Sequence, residues 1–323
     1  MDINTHFSSQ IAWIKQQLND ISITPLTGDA GFRRYYRVRD NNNHSYIFVD
    51  ASDEPSVFQA YCLQSEHLAS YDLPIPKLIA VDKKQSYALL TDFGDNLFFD
   101  QLTIKNSKKL YKLALDTLSR FHRCDIKAFG IYAKLGSELM HEELLGFQEW
   151  YLKKFLQKTL STENQKKLSN SFELIIQKII QQPYVFMHRD YHSKNIFLLE
   201  KDQVSLIDFQ DAMAGPVTYD IASLLRDCYV NSLDNQAVER LVLYYKKQNK
   251  LLDNISDAQF IIYFDYTGLQ RHLKAICTFA RKAVRDDDKN YLEFIPRTLD
   301  YIINISSKYP ELEFLNNYAR ELL

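Results

Sequence analysis

The chain is poor in cysteine. Its four, Cys62, Cys124, Cys228 and Cys277, stand far apart, with no CxxC pair among them. That spacing argues against a disulfide framework and a cysteine zinc site, and it fits free thiols in a reducing compartment. An excess of charge is also missing: 39 Lys and Arg face 41 Asp and Glu, a net charge of −2. No overall basic field is therefore available for nucleic acid or an anionic membrane, and any phosphate affinity has to come from a local site. No stretch approaches the roughly 18 uncharged residues of a membrane span. The start, Met1 to Leu18, lacks the charged opening and long apolar run of a signal peptide. Internal repeats, low-complexity tracts and long Gly/Ser linkers are absent as well. The expectation is a cytoplasmic protein with no nucleic-acid, membrane or protein partner implied. Its hydrophobic content of 46% and charged content of 25% are those of an ordinary globular chain. At 323 residues it is one large domain or two coupled ones.

Two textures divide it. Residues 8–19 space Ile11, Ile14 and Leu18 at helical intervals. Residues 32–38, 45–50, 77–81 and 86–91 are then short runs of Tyr, Val, Ile and Phe between turn residues, which predicts strands. A helix over 57–70 interrupts them, and Pro74 and Pro76 end it. From about residue 101 the pattern is helical, over 106–123, 138–158, 163–181, 218–230, 234–249, 256–283 and 289–307. Small strands at 184–187, 196–199 and 204–207 break that run. The fold class expected is α+β, with a strand-rich N-terminal lobe over 1–93 and a larger helical lobe over 94–323.

The informative stretch is His188-Arg189-Asp190-Tyr191-His192-Ser193-Lys194-Asn195, followed by Leu206-Ile207-Asp208-Phe209. It sets an Asp, an Asn five residues on, and a second Asp at the end of an apolar run. This resembles the catalytic and metal-binding loops of the protein-kinase fold. Phosphoryl transfer needs a carboxylate to orient the attacking hydroxyl and take its proton, the role expected of Asp190. Magnesium takes hard oxygen ligands, which Asn195 and Asp208 supply as one amide and one carboxylate. His188 is expected to hold the loop rather than touch substrate.

His192 lies two residues after Asp190, and Gly215-Pro216 and Tyr219-Asp220 follow Asp208 closely, leaving no room for a protein-kinase activation segment. The arrangement resembles the aminoglycoside-phosphotransferase-like kinases. That resemblance implies a small-molecule substrate, ATP and Mg2+, and an Asp220 that ties its helix to the catalytic loop without doing chemistry. Further segments resemble one subgroup, the anomeric kinases of N-acetylmuramate and N-acetylglucosamine. They are Leu26 to Val38, Phe209 to Ala212, Gly215 to Asp220, Ser223 to Tyr229, Gly268 to Lys274, Phe279-Ala280-Arg281 and Ile295-Pro296-Arg297. The subgroup implies phosphorylation of the anomeric hydroxyl of an N-acetylated amino sugar in cell-wall recycling. The alternatives are a kinase of another small alcohol, or a nucleotide-binding pseudokinase.

The pattern departs from a typical kinase in one place. The strand at 45–50 ends Val49-Asp50 with no phosphate-binding lysine, and the next helix offers no clear glutamate partner, Glu66 lying too near its end. The expected replacement is Arg33 or Arg34, and both remain open because alternate strand residues face opposite ways. Gly28 lies in the same loop. Asp92-Phe93-Gly94 spells a metal motif but precedes the catalytic loop, so Thr91, Asp92 and Phe93 are read as the hinge that meets adenine. For the sugar, the candidates are Asp211, Arg226, Arg271, His272 and Arg281. The competing reading pairs Arg226 with helical neighbours.

Overall fold

Which residues are buried, and on which side, follows in the first part of the chain from a period-two pattern with both faces covered. The computed structural model describes residues 3–26, 33–126, 133–200, 202–230 and 232–323. In chain order these form α1 (Ile3–Gln17), β1 (Ser22–Leu26), β2 (Arg34–Arg39), β3 (Ser45–Asp50), α2 (Pro55–Leu68), β4 (Leu78–Asp82) and β5 (Tyr87–Thr91). Then come α3 (Phe98–Gln101), α4 (Ser107–Phe121), α5 (Ser137–Gly146), a π-helical stretch (Phe147–Phe155), α6 (Thr162–Ile179), β6 (Tyr184–Met187), β7 (Ile196–Leu199), β8 (Gln203–Leu206) and β9 (Met213–Pro216). The rest is helical: α7 (Tyr219–Leu225), α8 (Asn235–Lys247), α9 (Asp257–Arg285), α10 (Ile295–Ser306) and α11 (Glu313–Leu322). No described helix is long and apolar enough to cross a membrane.

The first five strands form an antiparallel sheet in the order β1-β2-β3-β5-β4. Phe48 of β3, with Val38, Tyr87 and Leu89, packs on Trp13 and Ile14 of α1. Val49, the next residue, packs with Ala88 and Leu90 on Phe58 and Cys62 of α2. Each such side chain contributes roughly 1.5–3 kcal/mol when buried. A one-residue register slip would exchange the two sets between the faces and mispack both cores.

The chain divides into two compact units, Met1–Leu97 with Asn195–Asp211, and Phe98–Lys194 with Ala212–Leu323. The expected lobes of 1–93 and 94–323 therefore need correction at residues 195–211, which belong with the strand-rich unit. The Leu198 amide donates to the Asn96 carbonyl (2.8 Å) and the Leu206 amide to the Pro74 carbonyl (3.0 Å). Phe209 stacks on Tyr61 of α2, with centroids 5.1 Å apart. The helical unit is built around α9, whose Tyr266, Leu269, Leu273, Ile276 and Phe279 share a core with Phe172 and Ile176 of α6 and Leu299 and Ile302 of α10.

Candidate active site

The loop from His188 to Asn195 is held from beneath by one buried carboxylate. Asp220 is fully buried in α7. Its Oδ2 accepts the His188 amide (2.7 Å) and His122 Nε2–H (2.9 Å), and its Oδ1 accepts the Arg189 amide (2.9 Å). His122 is itself anchored, its Nδ1 2.6 Å from the Tyr245 hydroxyl. Behind the loop, the Tyr191 hydroxyl donates to the Ala114 carbonyl (2.7 Å), and the Ser193 amide donates to Asp227 (2.9 Å). These bonds hold Arg189 at φ 79°, a left-handed conformation unusual for a side-chain-bearing residue. The His188 ring is buried between Phe121 and Tyr191.

Asp190, next along the loop, lines a pocket of the helical unit with His192, Tyr229, Arg271, Lys274 and Phe279. Burial alone would push its carboxyl up. Lys274, His192, Arg271 and His188 outweigh that and hold it below the usual carboxylate value. Lys274 Nζ is fixed by Glu143 (3.1 Å) and by the Tyr219 hydroxyl (3.2 Å). Glu143 also takes Arg189 (3.2 Å) and Gln270 (2.7 Å). Lys274 and Glu143 were not candidates on sequence. The signal for Lys274 was present in its helical spacing, since Arg271 and Lys274 are i, i+3 neighbours.

Asn195 and Asp208 belong to the strand-rich unit. The β7–β8 hairpin brings them together: Ile196 pairs with Leu206, and the Ile207 amide donates to the Asn195 carbonyl (3.1 Å). Asp208 has φ 65°, its side chain is 36% exposed, and Gln210 Nε2 donates to it (2.8 Å). Among the described residues no group of three or more His, Cys, Asp or Glu forms a metal cage. Magnesium does not require one, because it is commonly held by one or two protein oxygens, waters and substrate phosphates. A carboxylate and an amide on adjoining hairpin ends fit that donor set.

The two candidate arginines go opposite ways. Arg33 faces the α2 side, where Nε lies 3.5 Å from Glu54 and Nη2 3.5 Å from Asp208. Burial would lower this guanidinium, but Tyr35, Asp208, Glu54 and Asp211 together raise it. Arg34 faces the α1 side and pairs with Asp50 (3.2 Å) and Asp53 (3.0 Å). Asp50 is fully buried and also bonded by Gln10 and Ser52, so Arg34 serves to neutralise it within the sheet. Asp92 is likewise occupied, accepting from Arg37 Nε (2.7 Å), Ser45 Oγ (2.5 Å) and the Gly94 amide (2.8 Å). Thr91 completes β5, its amide donating to the Lys77 carbonyl (3.1 Å), and Phe93 lies half-buried near Phe197. Gly28 lies outside the described residues.

The sugar candidates separate. Arg271 lines the Asp190 pocket with its side chain over the Tyr219 ring (4.5 Å). Arg226 reaches the same wall but is committed elsewhere. Its Nη2 donates to the fully buried Asp265 (2.5 Å), and it lies over Phe264. It crosses α9 at Gly268, where a Cβ would sit 2.9 Å from its Nη1. Arg226 is thus held in an ion pair with Asp265, while its Nη1 makes no hydrogen bond among the described residues and its side chain still lines the pocket. The buried His272 ring lines the pocket too; it stacks on Tyr301 and bonds the Arg226 carbonyl through Nε2, and among the described residues its Nδ1 makes no hydrogen bond. Arg281 is half-buried and does not line the pocket; Asp211 is exposed and belongs to the strand-rich unit, beside Arg33.

His272 carries a pH consequence. Burial, then the Arg226 and Arg271 charges, push it down to about 3. With the folded value depressed, its contribution to stability is full above pH ~6.5 and is lost as pH falls toward that lower value. Between pH 7 and 4.5 this one group is expected to remove about 2–3 kcal/mol of folding free energy. Urea unfolding at the two pH values checks it: His272→Gln should show a shallower decline, and an equal decline would show that His272 is not the group.

A family model described as the phosphotransferase enzyme family matches residues 22–254. The chain is 32% identical to the N-acetylmuramate/N-acetylglucosamine kinase of Pseudomonas aeruginosa, over 93% of this chain and 88% of that one. It is also 32% identical to the protein of the same name from Pseudomonas putida, covering 96% and 94%. Among solved structures, a choline kinase from Streptococcus pneumoniae superposes with a TM-score of 0.66 at 14% identity, covering 94% of this chain and 99% of that one, a likeness of fold.

Proposed function

The chain belongs to the phosphotransferase enzyme family, and from that premise we propose that it transfers the γ-phosphoryl group of ATP to the anomeric hydroxyl of an N-acetylated amino sugar. The observation that carries this reading is the pocket in which an ionised Asp190 stands beside Arg271 and Lys274. A cationic lining suits a neutral or acidic sugar and opposes a choline-like or aminoglycoside cation. The names of the relatives carry the same two sugars.

In this reading the anomeric O–H gives its proton to the Asp190 carboxylate as its oxygen bonds the γ-phosphorus. The bond from that phosphorus to the bridging oxygen breaks, and ADP leaves with the electron pair. Asn195 and Asp208 would hold magnesium, which would offset the charge of the phosphates. Arg33 takes the part of the missing lysine: it lies on the side of Asp208 and Glu54, while Arg34 serves the sheet through Asp50. Arg33→Ala is expected to raise the KM for ATP about tenfold or more, with Arg34→Ala instead lowering the melting temperature. Comparable kinetics in the two variants would overturn that division. The backbone of Thr91 to Phe93 meets the adenine. The free Cys62, Cys124, Cys228 and Cys277 fit a cytoplasmic setting, where ATP is abundant and thiols stay reduced.

The test is a coupled ATP-consumption assay across amino sugars. Turnover with N-acetylmuramate or N-acetylglucosamine is expected. Turnover only with sugars or alcohols that carry no N-acetyl group would reject the substrate assignment.

A further inference from the structure

Arg271 differs from the cations around it. Arg189 has Glu143, Lys274 shares that carboxylate, and Arg226 has Asp265. Arg271 is half-buried in the middle of α9, its Nη1 donating to the Arg189 carbonyl (3.0 Å) and its guanidinium lying over Tyr219. Among the described residues, no carboxylate stands within ion-pair distance of it. Asp190 and Asp220 act on it electrostatically only from beyond contact, and the planar group carries five N–H donors of which one makes that carbonyl bond. Its remaining donors suit an oxyanion, which a planar fork grips through two parallel hydrogen bonds. The pocket it lines is the one that holds Asp190.

We propose that Arg271 is the specificity-determining residue of the sugar pocket, and that it takes a carboxylate borne by the substrate, so that the site favours an acidic N-acetyl amino sugar over its neutral counterpart. This rests on the amino-sugar reading above. Lys274, one turn along the same face, adds a second positive charge to the same wall, but Glu143 and the Tyr219 hydroxyl already hold it. Arg226, though on that wall, is neutralised by Asp265. The carboxylates nearest the pocket do not take the ligand's place at Arg271. Asp227 is occupied by the amides of Ser193 and Tyr229, and Asp190 is reserved for the reacting hydroxyl.

The experiment compares kcat/KM for N-acetylmuramate and N-acetylglucosamine in the unaltered enzyme, Arg271→Gln and Arg271→Met. Glutamine retains a donor for the Arg189 carbonyl and guards against simple misfolding. The acid-to-neutral ratio is expected to fall about a hundredfold in both variants, the scale for losing a desolvated charged hydrogen bond. In parallel, N-acetylmuramate should raise the melting temperature of the unaltered protein but not of the variants. An unchanged ratio, with both sugars slowed alike, would overturn the inference and assign Arg271 to the transferred phosphoryl group. An unaltered enzyme that turns over only the neutral sugar would overturn it too. Failure of the unaltered enzyme with both sugars would instead defeat the proposed function on which the inference rests.

Discussion

Replacing Asp190 by asparagine is expected to lower kcat roughly thousandfold, within the 10²–10⁴ range of a positioned general base. The KM for ATP should stay within a few-fold of its starting value. The amide keeps the shape and one acceptor oxygen of the carboxylate, so the hydroxyl can still be oriented but its proton has nowhere to go. The environment suits the carboxylate to the proposed role at neutral pH. Buried and alone, Asp190 would be raised toward protonation, but Lys274, His192, Arg271 and His188 keep it ionised. No carboxylate ionisation should therefore appear in the kcat profile between pH 5 and 8. A loss smaller than about tenfold would mean that Asp190 is not the base.

Asp220→Ala is expected to cost about 3–5 kcal/mol of folding stability, the scale for removing one partner from a buried charged network. A drop in melting temperature on the order of 10 °C follows for a chain of this size. Three donors lose their acceptor at once: the amides of His188 and Arg189 and the Nε2–H of His122. Asp220 and His188 are both fully buried, so water does not readily replace the lost acceptor. Arg189 would also be released from its left-handed conformation, and Asp190 follows it directly in the chain. Activity should thus fall further than the folded fraction does. Differential scanning calorimetry combined with activity per folded molecule separates the two effects. A variant with an unchanged melting temperature would show that Asp220 does not hold the loop.

Much of this was legible in the sequence, and the reasons are local. The strands at 45–50, 184–187 and 196–199 were read to the residue, because alternating or continuous apolar runs bounded by turn residues leave little choice. The first and last strands were missed. β1 carries Pro25 and exposed polar residues, which an edge strand tolerates, and β9 ends in Gly215-Pro216, which reads as a turn. The helix expected over 218–230 stops at Leu225, where Asp227 turns its carboxylate back onto the Tyr229 amide (2.8 Å) and draws the chain out of helix. The stretch expected as one helix over 138–158 widens to a π-helix after Gly146.

The site follows the same division. Asp190, Asn195 and Asp208 stand out in the sequence because the chemistry proposed for them constrains both type and spacing. The pocket wall was only half visible. Arginines 226 and 271 look alike along the chain, and what separates them is Asp265, which lies on the same helix as Arg271 but is bonded to Arg226. Partners far apart in sequence decide which cation is consumed by the fold and which is left for a ligand. Arg33 and Arg34 could not be told apart until the pairing of β2 with β3 set Arg34 opposite Asp50.

The most direct test is the product itself. With ATP, magnesium and N-acetylmuramate, phosphorus NMR is expected to show one new phosphate at the anomeric carbon and one ADP per sugar consumed, and the sugar reduced at that carbon should be inert. Phosphate on any other hydroxyl, or equal turnover of the reduced sugar, would contradict the assignment.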